Sequence, residues 1–419
     1  MQNKVDTAQL LRAENILKRI NELAEISENP TCLTRTFGTA AFLQGSRKIY
    51  DWMIEAGLDT RIDNIGNVRG IWKCEDTKAK TLVFGSHMDT VTDAGKFDGP
   101  LGIIMAIDIV ENLIKNNIPQ PYHIECIAFS DEEGVRFHTS FLGSQVVAGT
   151  FDKSLLFQED ARGTTLNTVI RDMKGNENDL GEDAIPSGQW KGYFEIHIEQ
   201  GPVLFQQHIP IGIVTGIAAQ KRIIITLRGV TGHAGTVPLR LRQDALCSAA
   251  ECILEIEKFA KESIRLVATV GQIDIQNAAS NVIPGKVSLS LDIRSLDFDL
   301  LESSTEIINT KCQEICVGRN IEMHWHVVQE SKPVMCDPGF MSLLKKAIIN
   351  TGYEPIELVS GAGHDGIPLS SVSPIAMLFV RCFEGISHNP LENVEIMDIA
   401  AAVSVSDSFF ALLNEDSGH

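Results

Sequence analysis

Between Gly85 and Gly102 the chain reads GSHMDTVTDAGKFDGPLG, starting where the short apolar run TLVF ends. In an open α/β sheet, the carboxyl ends of the strands form the edge where ligands bind. His87 and Asp89 lie two apart and share a face, so Asp89 can orient a metal-bound imidazole or support the loop. Asp98 follows between Gly95 and Gly99, where a carboxylate can approach a shared cation. Taken alone, these residues read equally as a strand-end histidine and a turn aspartate. A second apolar run, HIECIAFS, ends in Asp131-Glu132-Glu133-Gly134. Adjacent carboxylates resist burial unless a cation or proton compensates them, so the run marks a metal edge or, in isolation, a solvated turn. Along Tyr193–Gln200, YFEIHIEQ, the alternation puts Glu195, His197 and Glu199 on one face. Histidine, aspartate and glutamate gathered from such edges supply the ligand chemistry of a dinuclear Zn, Mn, Co or Ni site.

Three further histidines are bracketed by glycine: Gly232-His233-Ala234-Gly235, Gly361-Ala362-Gly363-His364-Asp365-Gly366 and Gly385-Ile386-Ser387-His388. Glycine lets a ligand approach the backbone closely. With His197, these motifs take up four of the eleven histidines, which coincidence explains poorly. His123, His138, His208, His324 and His326 lack supporting acids or glycines and read as structural or surface residues. Asn281 in SNVIPG and Arg294 in LDIRS could hold a substrate carboxylate, the arginine through its bidentate fork. Spacing alone favours a plainer reading, an ion pair between Arg294 and Asp292.

These residues need a scaffold that brings strand ends together. Thr81–Gly85 and His123–Ser130 are β-rich and nearly continuous in apolar character, with a helical pattern over Leu101–Lys115 between them. That order predicts a buried, largely parallel sheet with crossover helices. A helical stripe at Leu10, Leu11, Ile16, Leu17, Ile20, Leu23 and Ile26 precedes it. From about Gly216 the pattern becomes β-α-β-β-α-β, the order of a ferredoxin-like unit, and after Pro333 the α/β texture returns. The expected architecture is therefore α/β, with a discontinuous domain (1–215 and 332–419) interrupted by a smaller one (216–331). Asp160–Gly188, rich in Gly, Asp, Asn and Thr, reads as a surface excursion.

Composition narrows the function classes. A chain of 419 residues with 44% apolar and 22% charged side chains is ordinary for a folded protein. Lys and Arg number 36 against 55 Asp and Glu, a net charge of −19 that repels phosphate backbones and anionic lipid. Neither nucleic acid nor membrane is an expected partner. The apolar stretches look too short and interrupted for a bilayer span, and the N-terminus lacks a secretory h-region. Nine scattered cysteines without a CxxC pair suggest reduced thiols and a cytoplasmic setting.

In the same order, the motifs GSHMDTV, GKFDGPLG, FSDEEGVRF, HIEQGPVL, GHAGTVPL, SNVIPG, LDIRS, SGAGHDG and GISHNPLE resemble the hydantoinase/carbamoylase amidases of the carboxypeptidase G and aminoacylase clan. The resemblance implies two divalent ions per subunit bridged by Asp98: His87, Asp98 and His197 around one, Asp98, Glu133 and His388 around the other. It implies Glu132 as general base, Asp89 as the carboxylate behind the ligands, and Gln200, His233, Asn281, Arg294, Gly363 and His388 as substrate-binding positions. The smaller domain then serves as lid and homodimer interface, with His233 offered to the partner's site. Clan members that hydrolyse ureido groups resemble this chain in carrying histidine at position 197, where peptidases and deacylases carry an acid. The implied activity is hydrolysis of a ureido group on a small carboxylate substrate, allantoate or an N-carbamoyl amino acid. A peptidase or N-acyl deacylase is the runner-up. A silent binding relative is disfavoured because every implied ligand and Glu132 is present.

Overall fold

The computed structural model of the chain describes residues 5–417; the outermost residues of the expected 1–215 and 332–419 spans lie outside the described residues. It divides into two compact units, one formed by the residues before Gly216 with those after Val334, the other by Gly216–Val334.

In the first unit, four parallel strands lie side by side in the order His123–Phe129, Thr81–His87, Trp190–Ile198 and Ile375–Val380. Antiparallel strands extend the sheet, Val68–Trp72 and Asp59–Ile62 on one side and Ile211–Ile217 on the other. Every residue of Thr81–His87 and His123–Phe129 is buried, which is why both runs are apolar on both faces. The crossover helix Pro100–Lys115 is buried at each position from Pro100 to Val110 and packs on the sheet. Trp190–Ile198 keeps the alternation read from the sequence, yet both its faces are covered. Its polar face is as buried as its apolar one, with Glu195 and His197 enclosed.

The closing helix, Ile396–Ser417, qualifies the expectation that no segment could cross a bilayer. A 20-residue stretch of it is long and apolar enough by composition, and 61% of its apolar window is buried in the fold. Phe409 and Phe410 stack on Phe194, with centroids 4.8 and 6.3 Å away, and Phe410 also meets Phe84 at 5.6 Å. That apolarity serves the core. Asp160–Gly188 is likewise less exposed than its composition suggests. It contains a helix, Leu166–Asp172, that buries Leu166, Val169 and Ile170, and Asp183 is buried against Arg61 and Asn64. In the first helix, Thr7–Ala24, the buried stripe is Ala13, Ile16, Ile20 and Leu23, while Leu11 falls outside it and is exposed.

The second unit is a four-stranded antiparallel sheet in the order Glu322–Ser331, Ala219–Arg228, Lys286–Ser295, Val267–Ile275. In chain order this is four-one-three-two, with helices Ala245–Glu262 and Phe298–Gly318 as the connections, a ferredoxin-like arrangement. Lys286–Ser295 alternates in burial along its whole length, the mark of a sheet with one covered face. Cys252, Cys312 and Cys316 lie in this core, and all nine cysteines are free thiols.

Gly85 lets the two central strands approach. A Cβ there would stand 1.9 Å from the carbonyl oxygen of Ile127 on the paired strand, and Tyr193 donates its hydroxyl to the Gly85 carbonyl at 3.2 Å. Backbone cannot yield as a flexible side chain does. Gly85→Ala should cost at least the roughly 1–3 kcal/mol of ordinary overpacking and lower the melting temperature by about 2–5 °C or more; an unchanged thermal midpoint would show that the strands tolerate a wider separation.

Candidate metal centre

His87 ends one parallel strand and His197 sits one residue before the end of its neighbour, so chain direction alone brings both rings to the carboxyl edge of the sheet. Their centroids are 5.7 Å apart. Asp98 enters from the loop before Pro100–Lys115, immediately ahead of Gly99, which has φ +83°. A Cβ on Gly99 would lie 2.4 Å from the His87 carbonyl oxygen and 2.6 Å from its ring, so only glycine allows this approach. Asp98 Oδ1 is 3.2 Å from His197 Nε2 and 3.8 Å from His87 Nε2, and Oδ2 is 3.0 Å from His388 Nε2. His388 Nε2 is in turn 3.5 Å from Glu133 Oε1. Two groups of potential ligands, His87–Asp98–His197 and Asp98–Glu133–His388, thus meet at one carboxylate.

The donor chemistry fits divalent cations. His87 Nδ1 lies 3.0 Å from the backbone carbonyl of Asp89, and His197 Nδ1 3.0 Å from that of Ile198. A carbonyl only accepts, so each Nδ1 carries a proton and each Nε2 is the ring atom left facing Asp98. His197 Nε2 is buried without a hydrogen bond, as expected of a ligand atom. Burial drives the His197 imidazole below its usual range, and the charges of His87 and His388 add to this against Asp98. Burial also opposes charge on Asp98, yet His388, His87 and His197 hold its carboxyl well below the usual range. Burial pushes Glu133 up to about 7 and Glu132 well above its normal value. So many enclosed carboxylates call for positive charge. Glu195, His197 and His364 also bring ligand atoms within 4.8 Å. With His197 Nδ1 committed to Ile198 and Nε2 to the Asp98 side, His197 has no atom left for a separate ion there.

The loops carrying these groups are fastened to one another. The Asp89 carboxylate accepts the backbone N–H groups of Glu132 and Glu133, each at 3.1 Å. Of the two roles open to Asp89, its carboxylate thus takes loop support while its main-chain carbonyl orients His87. Glu392 accepts the N–H groups of Phe97 at 2.7 Å and Asp98 at 3.2 Å. Gln200 donates to both Asp98 oxygens at 2.9 and 3.1 Å, and Ser387 donates to Oδ2 at 3.0 Å. Asp131, Gln200 and His388 each hold φ between +53° and +56°, a left-handed conformation uncommon outside glycine that gathers at functional sites. Arg35 is fully buried and donates Nε to the Met88 carbonyl at 2.8 Å and Nη1 to those of Leu23 and Ile26, anchoring the segment after His87.

Some expectations end elsewhere. Glu199, grouped by alternation with His197, leaves the cluster: its carboxylate caps the Val203–Gln207 helix by accepting from Val203 and Leu204 N–H at 2.8 Å. Gly363 stands beside Phe141, whose Cζ a Cβ would approach to 2.9 Å. His233, Asn281 and Arg294 belong to the Gly216–Val334 unit. There His233 is exposed and accepts from Gly235 N–H through Nδ1, and the Asn281 carbonyl accepts from Ala234 N–H. Arg294 closes a fork on Asp292, Nε to Oδ1 at 2.8 Å and Nη2 to Oδ2 at 3.0 Å, the ion pair that spacing favoured. Sequence reasoning missed Glu392 and Ser387, although both lie inside GISHNPLE, and it missed buried Asp365, whose carboxylate meets Ser144 Oγ at 2.5 Å. Arg35 carried no signal, since an arginine in RTFG reads as surface.

Comparison with known proteins agrees with this geometry. Residues 83–411 match the model of peptidase family M20/M25/M40. The chain is 40% identical to allantoate deiminase 1 of Glycine max across 97% of its own length and 90% of that protein's. It is 35% identical to the N-carbamoyl-L-amino acid amidohydrolase of Geobacillus stearothermophilus, covering 94% of itself and 97% of the relative. The crystal structure of a hydantoinase/carbamoylase family amidase from Burkholderia multivorans superposes with a TM-score of 0.90 at 30% identity, over 96% of this chain and 98% of that one. The chain belongs to peptidase family M20/M25/M40 and, within it, to the hydantoinase/carbamoylase amidases.

Proposed function

We propose that this hydrolase of C–N bonds removes a terminal ureido group from a small carboxylate-bearing substrate, allantoate or an N-carbamoyl amino acid. One water is consumed, and ammonia, carbon dioxide and the amine are released. The observation that carries the proposal is the single buried carboxylate of Asp98 shared by two ligand groups, with Glu132 beside them. Two relatives that match over nearly the whole chain are named for these substrates, and the imidazole at position 197 agrees with ureido chemistry. Bound among His87, Asp98, Glu133, His197 and His388, two divalent ions (Mn, Zn, Co or Ni) would acidify a water and polarise the ureido carbonyl.

The rest falls to the chain's own groups. Glu132, its backbone fixed by Asp89, accepts the water proton and returns it to the departing nitrogen. Gln200 steadies Asp98, His233 donates to the developing oxyanion, and Asn281 and Arg294 hold the substrate carboxylate, with Gly363 leaving room beside it. On this reading 1–215 and 332–419 are the catalytic domain, and 216–331 is the lid and dimer interface that offers His233 to the partner's site in a homodimer. Nine free thiols support a reducing, cytoplasmic setting.

The deciding experiment is a panel of allantoate, N-carbamoyl-L-amino acids, carbamoyl-β-alanine and N-acetyl-amino acids, scored for product after reconstitution with each metal. Turnover confined to the N-acetyl compounds would replace the ureido reading with a deacylase. Glu132→Gln keeps shape and removes basicity, so kcat should fall roughly 10²-fold or more with metal content unchanged; near-parental kcat would assign the proton to another group. Arg294→Lys should lower kcat/KM for carboxylate substrates by roughly 10- to 200-fold, the equivalent of about 1.5–3 kcal/mol for a lost charge-assisted bond. A carboxamide analogue should lose far less. Equal loss on both substrates would leave Arg294 as the structural partner of Asp292.

A further inference from the structure

The segment after the strand Ile375–Val380 returns to the sheet edge as a closed loop. Phe383 donates its N–H to the Asn393 carbonyl at 2.7 Å, and the Arg381 guanidinium forks onto Asp398 at 2.8 and 2.9 Å below it. Within the closure, Leu391 N–H bonds the Asn389 side chain and Glu392 N–H the Asn389 carbonyl. Three side chains of this one loop address the Phe97–Asp98 dipeptide. Ser387 Oγ and His388 Nε2 reach Asp98 Oδ2, each at 3.0 Å, and Glu392 Oε1 takes the two backbone N–H groups from behind.

Glu392 is 3% exposed and has little freedom to move. A Cβ on Gly95 would come within 2.2 Å of its Cδ, so the turn before Asp98 lies directly against the carboxylate and the missing side chain at Gly95 is what admits it. A carboxylate receiving two adjacent backbone N–H groups fixes the orientation of that peptide more firmly than a neutral acceptor does. Asp98 has only its χ angles left to adjust, and it is Oδ2, met by Ser387 and His388 of the same loop, whose place depends on the tie between that loop and the peptide.

We propose that Glu392 is a positioning residue for the bridging carboxylate: it ties Asp98 to the loop that carries His388, so that the Asp98–Glu133–His388 half of the centre is assembled in advance of its ion. The inference rests on the dinuclear reading given above. It predicts an asymmetry, because His87 and His197 come from sheet strands and need no such tie. Loss of Glu392 should weaken the Asp98–Glu133–His388 ion and largely spare the His87–Asp98–His197 ion.

Two measurements on the full chain test it. In Glu392→Gln without added metal, amide hydrogen exchange in the peptide containing Phe97 and Asp98 should accelerate at least about tenfold, while the Thr81–His87 and His123–Phe129 strands keep their protection. On titration with Mn2+ or Co2+ followed by calorimetry, one of the two dissociation constants should rise about 10- to 100-fold, the usual effect of losing a carboxylate behind a ligand, and the other should stay within about threefold. Gly95→Ala, which crowds the carboxylate off its donors without removing it, should reproduce both changes, and Glu392→Asp should recover part of the metal affinity. Unchanged exchange at Phe97–Asp98 overturns the tie, as does equal weakening of both ions. Faster exchange in a protein whose parent binds no second ion keeps the tie and instead overturns the dinuclear reading.

Discussion

The structure depends on enclosing a cluster of acids without letting it repel itself apart. Asp89, Asp98, Glu132 and Glu133 crowd one edge of the sheet, and the first three are at least nine-tenths buried. Unbalanced, such a group drives its own members toward protonation, and burial does push Glu132 and Glu133 in that direction. Asp98 escapes because it faces three imidazoles. The pattern of charge is therefore centred on a single residue, and the surrounding elements can be understood by how each one serves it.

The sheet delivers His87 and His197, while loops deliver the acids and His388, by different means. A parallel strand needs little beyond apolar packing on both faces to bring its last side chain to a defined place, which is how His87 and His197 arrive. A loop has no such ladder. The acid-bearing loops are instead fastened crosswise: Asp89 from the loop after the first histidine to the backbone of Glu132–Glu133, Glu392 from the His388 loop to the backbone of Phe97–Asp98, and Arg35 from beyond the first helix to the Met88 carbonyl. Left-handed residues at Asp131, Gln200 and His388 show where the chain accepts an unfavourable backbone in exchange for aim.

Much of this was legible in the residues themselves. The apolar runs ending in GSHMD and SDEEG located two adjacent strand ends, because a buried parallel strand is largely apolar and its charged residues gather where it stops. The β-α-β-β-α-β order of the smaller unit was legible for a similar reason: its sheet has one covered face, so alternation survives in the sequence. Long-range fastening was not legible. Nothing local distinguishes Arg35 from a surface arginine, or Glu199, which caps a helix, from Glu195, which is enclosed with Ser86. The alternating pattern of YFEIHIEQ put Glu195, His197 and Glu199 on one face but could not tell that Glu195 and His197 are fully enclosed while Glu199 turns away to cap a helix.

The strand Ile375–Val380 lies between Trp190–Ile198 and Ile211–Ile217, although well over a hundred residues separate it from either in the chain. During synthesis the ferredoxin-like unit, one continuous stretch, is complete before the larger sheet possesses that strand. Until then two strands rich in isoleucine wait with unpaired edges, the condition under which a nascent chain is exposed to mispairing and aggregation. The late arrival also brings the loop of His388 and Glu392, so the segment that closes the sheet is the same one that completes the Asp98 centre. A chain cut short after the smaller unit would lack both the strand that seals the sheet and the loop that completes the centre.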